Sequence, residues 1–309
     1  METHNLTYVS EFHLLGFSDD PELQPILFGL FLSMCLVTVV GNLLIILAVS
    51  SDSHLHTPMY FFLSNLSIVD ICFATTMMPK MIADILNHKR VISYVSCLTQ
   101  MSFFIIFGCM DDKLLTVMAY DRFVAICHPL RYKVIMNPHL CVLLIFLCVF
   151  ISLLDSLTYN VIALEFPCFK DVEIGNFFCH PTQLLNLSCS DALIKTLVTY
   201  FVGAILGFFP ILGILCSYYK IVSSILKISS LGGRYKAFST CTSHLSVVCL
   251  FYGNGIGVYL GSAVSYNPSQ SMVASLIHIL VTPMLNPFIY SLRNRDISNT
   301  LKGLHSWRV

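Results

Sequence analysis

The spacing of its apolar runs constrains this chain more than any other feature. Seven windows, about 25–49, 58–82, 97–122, 140–163, 195–222, 238–261 and 270–292, are each apolar over enough length to cross a bilayer, which takes roughly 20 residues. In hydrocarbon every backbone polar group must be satisfied within the protein, and a helix does this within one segment. Charged residues make up 11% of the chain and hydrophobic residues 56%, whereas a soluble domain carries about a quarter charged residues. The expected fold is an all-α membrane protein: a seven-transmembrane helix bundle over 25–292, an outer N-terminal segment over 1–24, and a tail over 293–309. The second, third and seventh windows carry internal charges or prolines and rank lower by hydropathy alone. In the tail, Ile297, Leu301 and Leu304 recur at helical spacing with Arg295 and Lys302 between them, which predicts a short amphipathic helix on the membrane surface.

Charge sets the expected orientation. Lys+Arg and Asp+Glu both total 17, so no nucleic-acid partner is implied; the implied surroundings are membrane lipid. The first 24 residues hold five acids and no Lys or Arg, the reverse of a secretory signal, so the first apolar segment is expected to act as its own insertion signal. An odd number of spans puts the two termini on opposite sides. Eleven Lys and Arg fall on the side of the C-terminus and five on the other, which predicts a plasma-membrane protein with its C-terminus in the cytoplasm and its N-terminus outside. The acceptor triplet at Asn5 agrees with an outer N-terminus. Asn186-Leu187-Ser188 is a second outer triplet, and Asn65-Leu66-Ser67 lies within a span. Of 13 cysteines, Cys97, Cys168, Cys179 and Cys189 fall in outer segments, where disulfides are permitted. Three pairings are open. Joining Cys97 to Cys179 would pin the loop over the bundle mouth, and Cys168 and Cys189 would then close a second ring.

The string MAYDRFVAICHP, Met118–Pro129, ends the third span with an Asp-Arg pair. A guanidinium there needs a partner or the interface, so Asp121 and Arg122 read as a held charge pair or as an interfacial anchor. Further strings lie in order along the chain: Gly41-Asn42, LHTPMYFFLSNLSIVD (Leu55–Asp70), Ser217-Tyr218, KAFSTCTSHL (Lys236–Leu245) and PMLNPFIYSLRN (Pro283–Asn294). With these the chain resembles the rhodopsin-like G-protein-coupled receptors, and more closely the odorant receptors. The resemblance implies binding of a small volatile odorant within the bundle and activation of a stimulatory heterotrimeric G protein, raising cAMP. It implies that Arg122 contacts the G protein and rests on Asp121, and that Tyr218 and Tyr290 swing toward it. Lys236, Ser239 and Thr240 would lie at the inner end of a moving sixth span. Asn286, Pro287 and Tyr290 form the matching motif in the seventh. Pro210 and Pro287 remove backbone hydrogen bonds and can mark bends. Asp70 and Asp111 match two acids that hold sodium in the family, with Asn42 and Asn286 nearby, although odorant receptors usually carry Glu at the position of Asp111. No other cofactor is implied.

Asp112 and Lys113 are neighbours that point in different directions around a helix; they need separate partners and are expected to make structural polar contacts between helices, and Asp155 is a further acid within a span, where a charge is costly. The outer third of the third span offers Phe103, Phe104 and Ile105 where an amine receptor needs an acid, and Phe251 to Ala263 holds no Lys or Arg. By resemblance the pocket is lined by Phe104, Ile105, Gly108, Cys109, Val202, Leu206, Tyr252, Ile256, Tyr259, Leu276 and Ile279. That lining is apolar with few hydroxyls and suits a neutral or weakly polar volatile, with Tyr259 offering the hydrogen bond. His54, His56, His128, His244 and His278 read as interfacial or packing residues. No HExxH or GxSxG string is present, and no enzyme is expected. The alternatives are a receptor for a non-odour metabolite and a transporter or channel; the latter would want inverted repeats, and none is found.

Overall fold

The computed structural model describes residues 10–306, apart from 18–19, 88, 166–168, 170, 188–191, 265–271, 274 and 294. Within helices, backbone alone is described at 165, 182, 185–186, 192–206, 236, 240, 255–264, 291–293, 295 and 304–306. The long helices are α1 (Gln24–Ser51), α2 (Pro58–Asn87), α3 (Tyr94–Cys127), α5 (Pro138–Glu165), α7 (Ala192–Leu226) and α8 (Leu231–Val264). Short helices α4 (Tyr132–Ile135) and α6 (Pro181–Leu187) lie in the connections. The seventh span runs through a π-turn at Ile277–Val281 into α9 (Thr282–Arg293), and α10 (Arg295–Ser306) follows. Each expected window therefore sits on a helix.

Their ends follow local chemistry. Ser93 caps α3, its side chain accepting from Ser96 N at 3.3 Å. Asn137 precedes Pro138 at the start of α5, and its Oδ1 accepts from Leu140 N at 2.9 Å, which satisfies one of the unpaired first-turn donors. Asp52 closes α1 and accepts from His54 N at 2.9 Å.

Among the described residues four helices, α1, α2, α5 and the Gly207–Leu226 part of α7, are long and apolar enough to cross a membrane by composition alone. The second span qualifies with the lowest mean hydropathy of the four, in keeping with its expected rank. The third is not apolar enough alone, because it carries Asp111, Asp112 and Lys113. These are buried at the bundle centre, where α3 packs against α2, α5, α7 and α8. Leu43 and Leu47 on α1, Phe146 and Phe150 on α5, and Phe208 and Phe209 on α7 face outward, a surface suited to lipid and not to water.

One proline frees a carbonyl that another helix uses. Pro287 has no N–H for the carbonyl of Pro283 one turn earlier, and Asn42 Nδ2 donates to that carbonyl at 3.2 Å. The approach is close: a Cβ on Gly41 would lie 3.1 Å from the Pro287 ring. Separately, Thr116 Oγ1 donates to the carbonyl of Pro210 itself at 3.3 Å, joining α3 to α7.

A small sheet, unannounced by the apolar pattern, closes the N-terminal face. Strand β1 (Glu11–Leu14) runs antiparallel to β2 (Val91–Ser93), with Phe12 opposite Ile92, and parallel to β3 (Glu173–Ile174), with Leu14 beside Ile174. Phe12 is fully buried against Tyr94 and Phe169, so β1 anchors the loop that follows α5. Cys97 and Cys179 form the expected disulfide, with Cα atoms 5.4 Å apart. Cys179 N also donates to Gln100 Oε1 at 3.1 Å. Cys168, Cys189 and Asn5 lie outside the described residues. Asn65 sits within α2 with its amide donating to Phe61 O.

At the opposite face, α10 docks on the bundle instead of lying free. Ile297 is fully buried, Tyr60 donates to Asp296 Oδ2 at 3.1 Å, and Thr300 donates to Asp52 Oδ2 at 2.7 Å. The bonds from Thr300 and His54 hold the Asp52 carboxyl below the usual carboxylate range.

Candidate functional site

The site has three tiers along α3. The first, toward the N-terminal face, is an aromatic chamber. Phe104 on α3 meets Phe73 of α2 at 5.8 Å between ring centroids, Phe178 of the pinned loop at 5.0 Å, and His180 at 5.6 Å. His278, on the π-turn, lies 6.5 Å from Phe73 and 5.1 Å from Phe251 of α8. A Cβ added to Gly108, one turn below Phe104, would meet nothing within 4 Å, so there is open space beside α3 at this level. Asn176 Nδ2 donates to Ser275 Oγ at 3.2 Å and ties the roof to the seventh span. Burial takes the His180 imidazole down to about 4, which leaves it neutral near pH 7.

Phe104, Gly108, Cys109, Tyr252 and Leu276 are half-buried, and Cys109 packs with the cluster toward α5. Ile105 and Ile279 depart from expectation. Ile105 is buried with Cys97, Met101 and Leu184 on the α5 side, and Ile279 is fully buried against Phe31, Phe73 and Met77. The π-turn carries an extra residue per turn, so a register counted as α-helical places the wrong side chains inward. His278 takes the chamber position instead. The side chains of Val202, Leu206, Ile256 and Tyr259 lie outside the described residues. The aromatic walls Phe73, Phe178 and Phe251 were missed, and so were both histidines. Phe104 and its neighbours Phe103 and Phe107 were the available signal.

The second tier is polar. Lys113 Nζ lies 3.0 Å from Asp155 Oδ2, a buried ion pair between α3 and α5, and the Asp112 carboxylate accepts from the Tyr252 hydroxyl of α8. The separate partners expected for Asp112 and Lys113 are thus Tyr252 and Asp155, and the Tyr252 hydroxyl is committed at the floor of the chamber. Ser102 and Asn160 add a further α3–α5 bond at 2.8 Å. Deeper, Asn286 Nδ2 donates to both oxygens of Asp70, at 3.2 and 3.0 Å. Three buried acceptors are left without partners: Asp111 Oδ1, Asn42 Oδ1 and Asn286 Oδ1.

The third tier lies at the C-terminal face. Asp121 and Arg122 do not make the expected resting pair. Among the described residues no ion pair joins them, and Asp121 Oδ1 accepts from Tyr132 OH at 2.8 Å. Adjacent helical residues diverge around the axis and cannot face each other. The Asp121 carboxylate, 1% exposed, turns inward to the connection at Tyr132. The Arg122 charge falls within electrostatic reach of Tyr218, His244 and Tyr290. Tyr218 OH bonds His244 Nδ1 at 2.7 Å, the two rings stacked, and His244 Nε2 meets Leu115 O at 3.0 Å. This chain of contacts joins α7, α8 and α3, so His244 is a bundle residue and not an interfacial one. The Tyr290 hydroxyl is buried without a partner. Ser239 is exposed on α8, while the side chains of Lys236 and Thr240 lie outside the described residues.

These tiers can be compared with known proteins. A family model described as "Olfactory receptor" matches residues 31–306. Olfactory receptor 7E24 of Homo sapiens is 69% identical over 98% of this chain and 90% of its own length. Olfactory receptor 7E178 of Mus musculus is 66% identical over 100% of this chain and 92% of its own. The solved structure of squid rhodopsin superimposes with a TM-score of 0.73 over 94% of this chain and 88% of that one, at 18% identity, which establishes the seven-helix fold. Receptors of this kind are multi-pass plasma-membrane proteins and not enzymes. The chain belongs to the olfactory receptor family.

Proposed function

We propose that a small, neutral or weakly polar volatile binds in the aromatic chamber, and that its binding favours a state in which α8 swings outward to admit a stimulatory G protein to Arg122. The observation that carries this reading is the physical line between the tiers. Tyr252 on α8 is both a wall of the chamber and the partner of Asp112 on α3, and on the same two helices His244 reaches Leu115 O. A ligand that interacts differently with the two arrangements of α8 shifts their populations by that difference. In this reading the N-terminal face is extracellular, in keeping with the excess of Lys and Arg on the other side.

Between the tiers, the orphaned oxygens of Asn42, Asp111 and Asn286, with Asp70 beside them, fit a sodium ion. All the donors are oxygen, as a hard cation prefers. Bound there, the ion would supply positive charge to two buried carboxyls and so favour the packed bundle.

Two expectations follow. Cells coexpressing the receptor and a stimulatory G protein should raise cAMP on exposure to a panel of volatiles without agonist-gated current; current without cAMP would favour a channel. Tyr252→Phe removes the α8 hydroxyl from Asp112, a hydrogen bond to a charged group worth about 1.5–3 kcal/mol. Ligand-independent cAMP should rise several-fold at equal surface expression, and an unchanged basal level would separate this contact from the movement of α8.

A further inference from the structure

The chamber contains one polar group that the fold leaves unspent. His278 Nδ1 is shut off from solvent and has no hydrogen-bond partner, yet the ring as a whole is only half-buried. Its exposure therefore belongs to the opposite edge, which carries Nε2. The ring as a whole packs between Phe73, at 6.5 Å, and Phe251, at 5.1 Å between centroids. In a neutral imidazole one nitrogen carries the proton and the other accepts. Proteins avoid a buried N–H without an acceptor more strictly than an under-satisfied acceptor, so the proton belongs on Nε2. The ring then presents a single N–H on its accessible edge, between the two aromatic walls it packs against. The π-turn that sets this orientation is a backbone feature found frequently at functional sites.

Other groups near the chamber are engaged. Tyr252 is bound to Asp112, Lys113 to Asp155, and Ser275 to Asn176. We propose that His278 is the hydrogen-bond donor that selects the ligand, and that the ligand class is a small neutral acceptor: a ketone, ester or ether with an apolar body. This rests on the odorant-receptor reading above. The aromatic walls supply dispersion and burial, and the imidazole N–H fixes the end of the molecule that carries oxygen. An alkylammonium ligand would find a donor where it needs an acceptor. A carboxylate would find Lys113 already neutralised.

The test uses the full-length receptor with a stimulatory G protein in cells, with surface level measured by immunostaining. The probes are aliphatic ketones and esters, alkanes of the same length, and primary alkylamines. Wild type should respond to members of the ketone and ester series and not to the amines. His278→Phe should raise the half-maximal concentration for those agonists about 10-fold, as expected for loss of about 1.4 kcal/mol, and leave any alkane response where it was. His278→Gln, which places a side-chain N–H near the position of Nε2, should restore the response to within about threefold of wild type. If His278→Phe does not reach the surface, His278→Leu serves in its place. Equal loss for ketones and alkanes, an unchanged ketone response, or failure of Gln to improve on Phe would overturn the assignment. Absence of any cAMP response to every series, with receptor on the surface, would instead overturn the odorant-receptor reading on which it stands.

Discussion

Replacing Lys113 by Met is expected to strip most of the receptor from the cell surface. The substitution leaves Asp155, only 3% exposed, as a buried carboxylate without its cation. Breaking a buried ion pair from one side costs about 3–5 kcal/mol, a large part of the roughly 5–15 kcal/mol that holds a domain together. The double variant Lys113→Met with Asp155→Leu removes both charges and should recover much of the lost expression, because a hydrophobic pair of similar volume is often neutral or stabilising. Flow cytometry of the three forms, with thermal unfolding in detergent, decides the matter. If the double variant is as poor as the single one, the pair matters for something other than charge compensation.

Opening the disulfide with Cys97→Ser should have an effect of similar size and a different character. The bridge joins residues 82 apart in sequence, and the loop-entropy model assigns a closure of that length about 4–5 kcal/mol. It also holds Phe178 and His180 over Phe104. The variant should unfold at a markedly lower temperature than wild type, and what reaches the surface should respond weakly to every agonist, whatever its chemistry. An unchanged Tm in the purified protein would contradict this. So would a response lost for ketones alone, since the roof acts on the whole chamber.

Much of the architecture was legible in the sequence, because hydrocarbon permits little choice. A run of about 20 apolar residues becomes a helix, and each of the seven windows does. Charges inside the spans were legible as costly but not as paired: no spacing rule on one helix connects Lys113 to Asp155, 42 positions away on α5. The three-stranded sheet was hidden because its strands are two to four residues long and owe their existence to tertiary packing of Phe12 and the disulfide. The chamber lining was partly legible. Phe104 and Gly108 stand where an α-helical count puts them. Ile279 does not, because the π-turn rotates His278 inward in its place. Asp121 and Arg122 were read as a pair from adjacency, a spacing at which helical side chains do not face each other. The partner that Asp121 has, Tyr132, lies within the same MAYDRFVAICHPLRY string, across the turn that Pro129 begins.

The account as a whole rests on coupling between a volatile in the aromatic chamber and Arg122 at the far end of α3. The most direct measurement is guanine-nucleotide exchange on a purified stimulatory G protein by receptor reconstituted in bilayers, with and without an active ketone, for wild type and Arg122→Ala at equal folded receptor. The ketone should accelerate exchange on wild type and leave Arg122→Ala at the rate of empty bilayers. Equal acceleration by the two proteins, or agonist-gated ion current through wild type with no exchange at all, would contradict it.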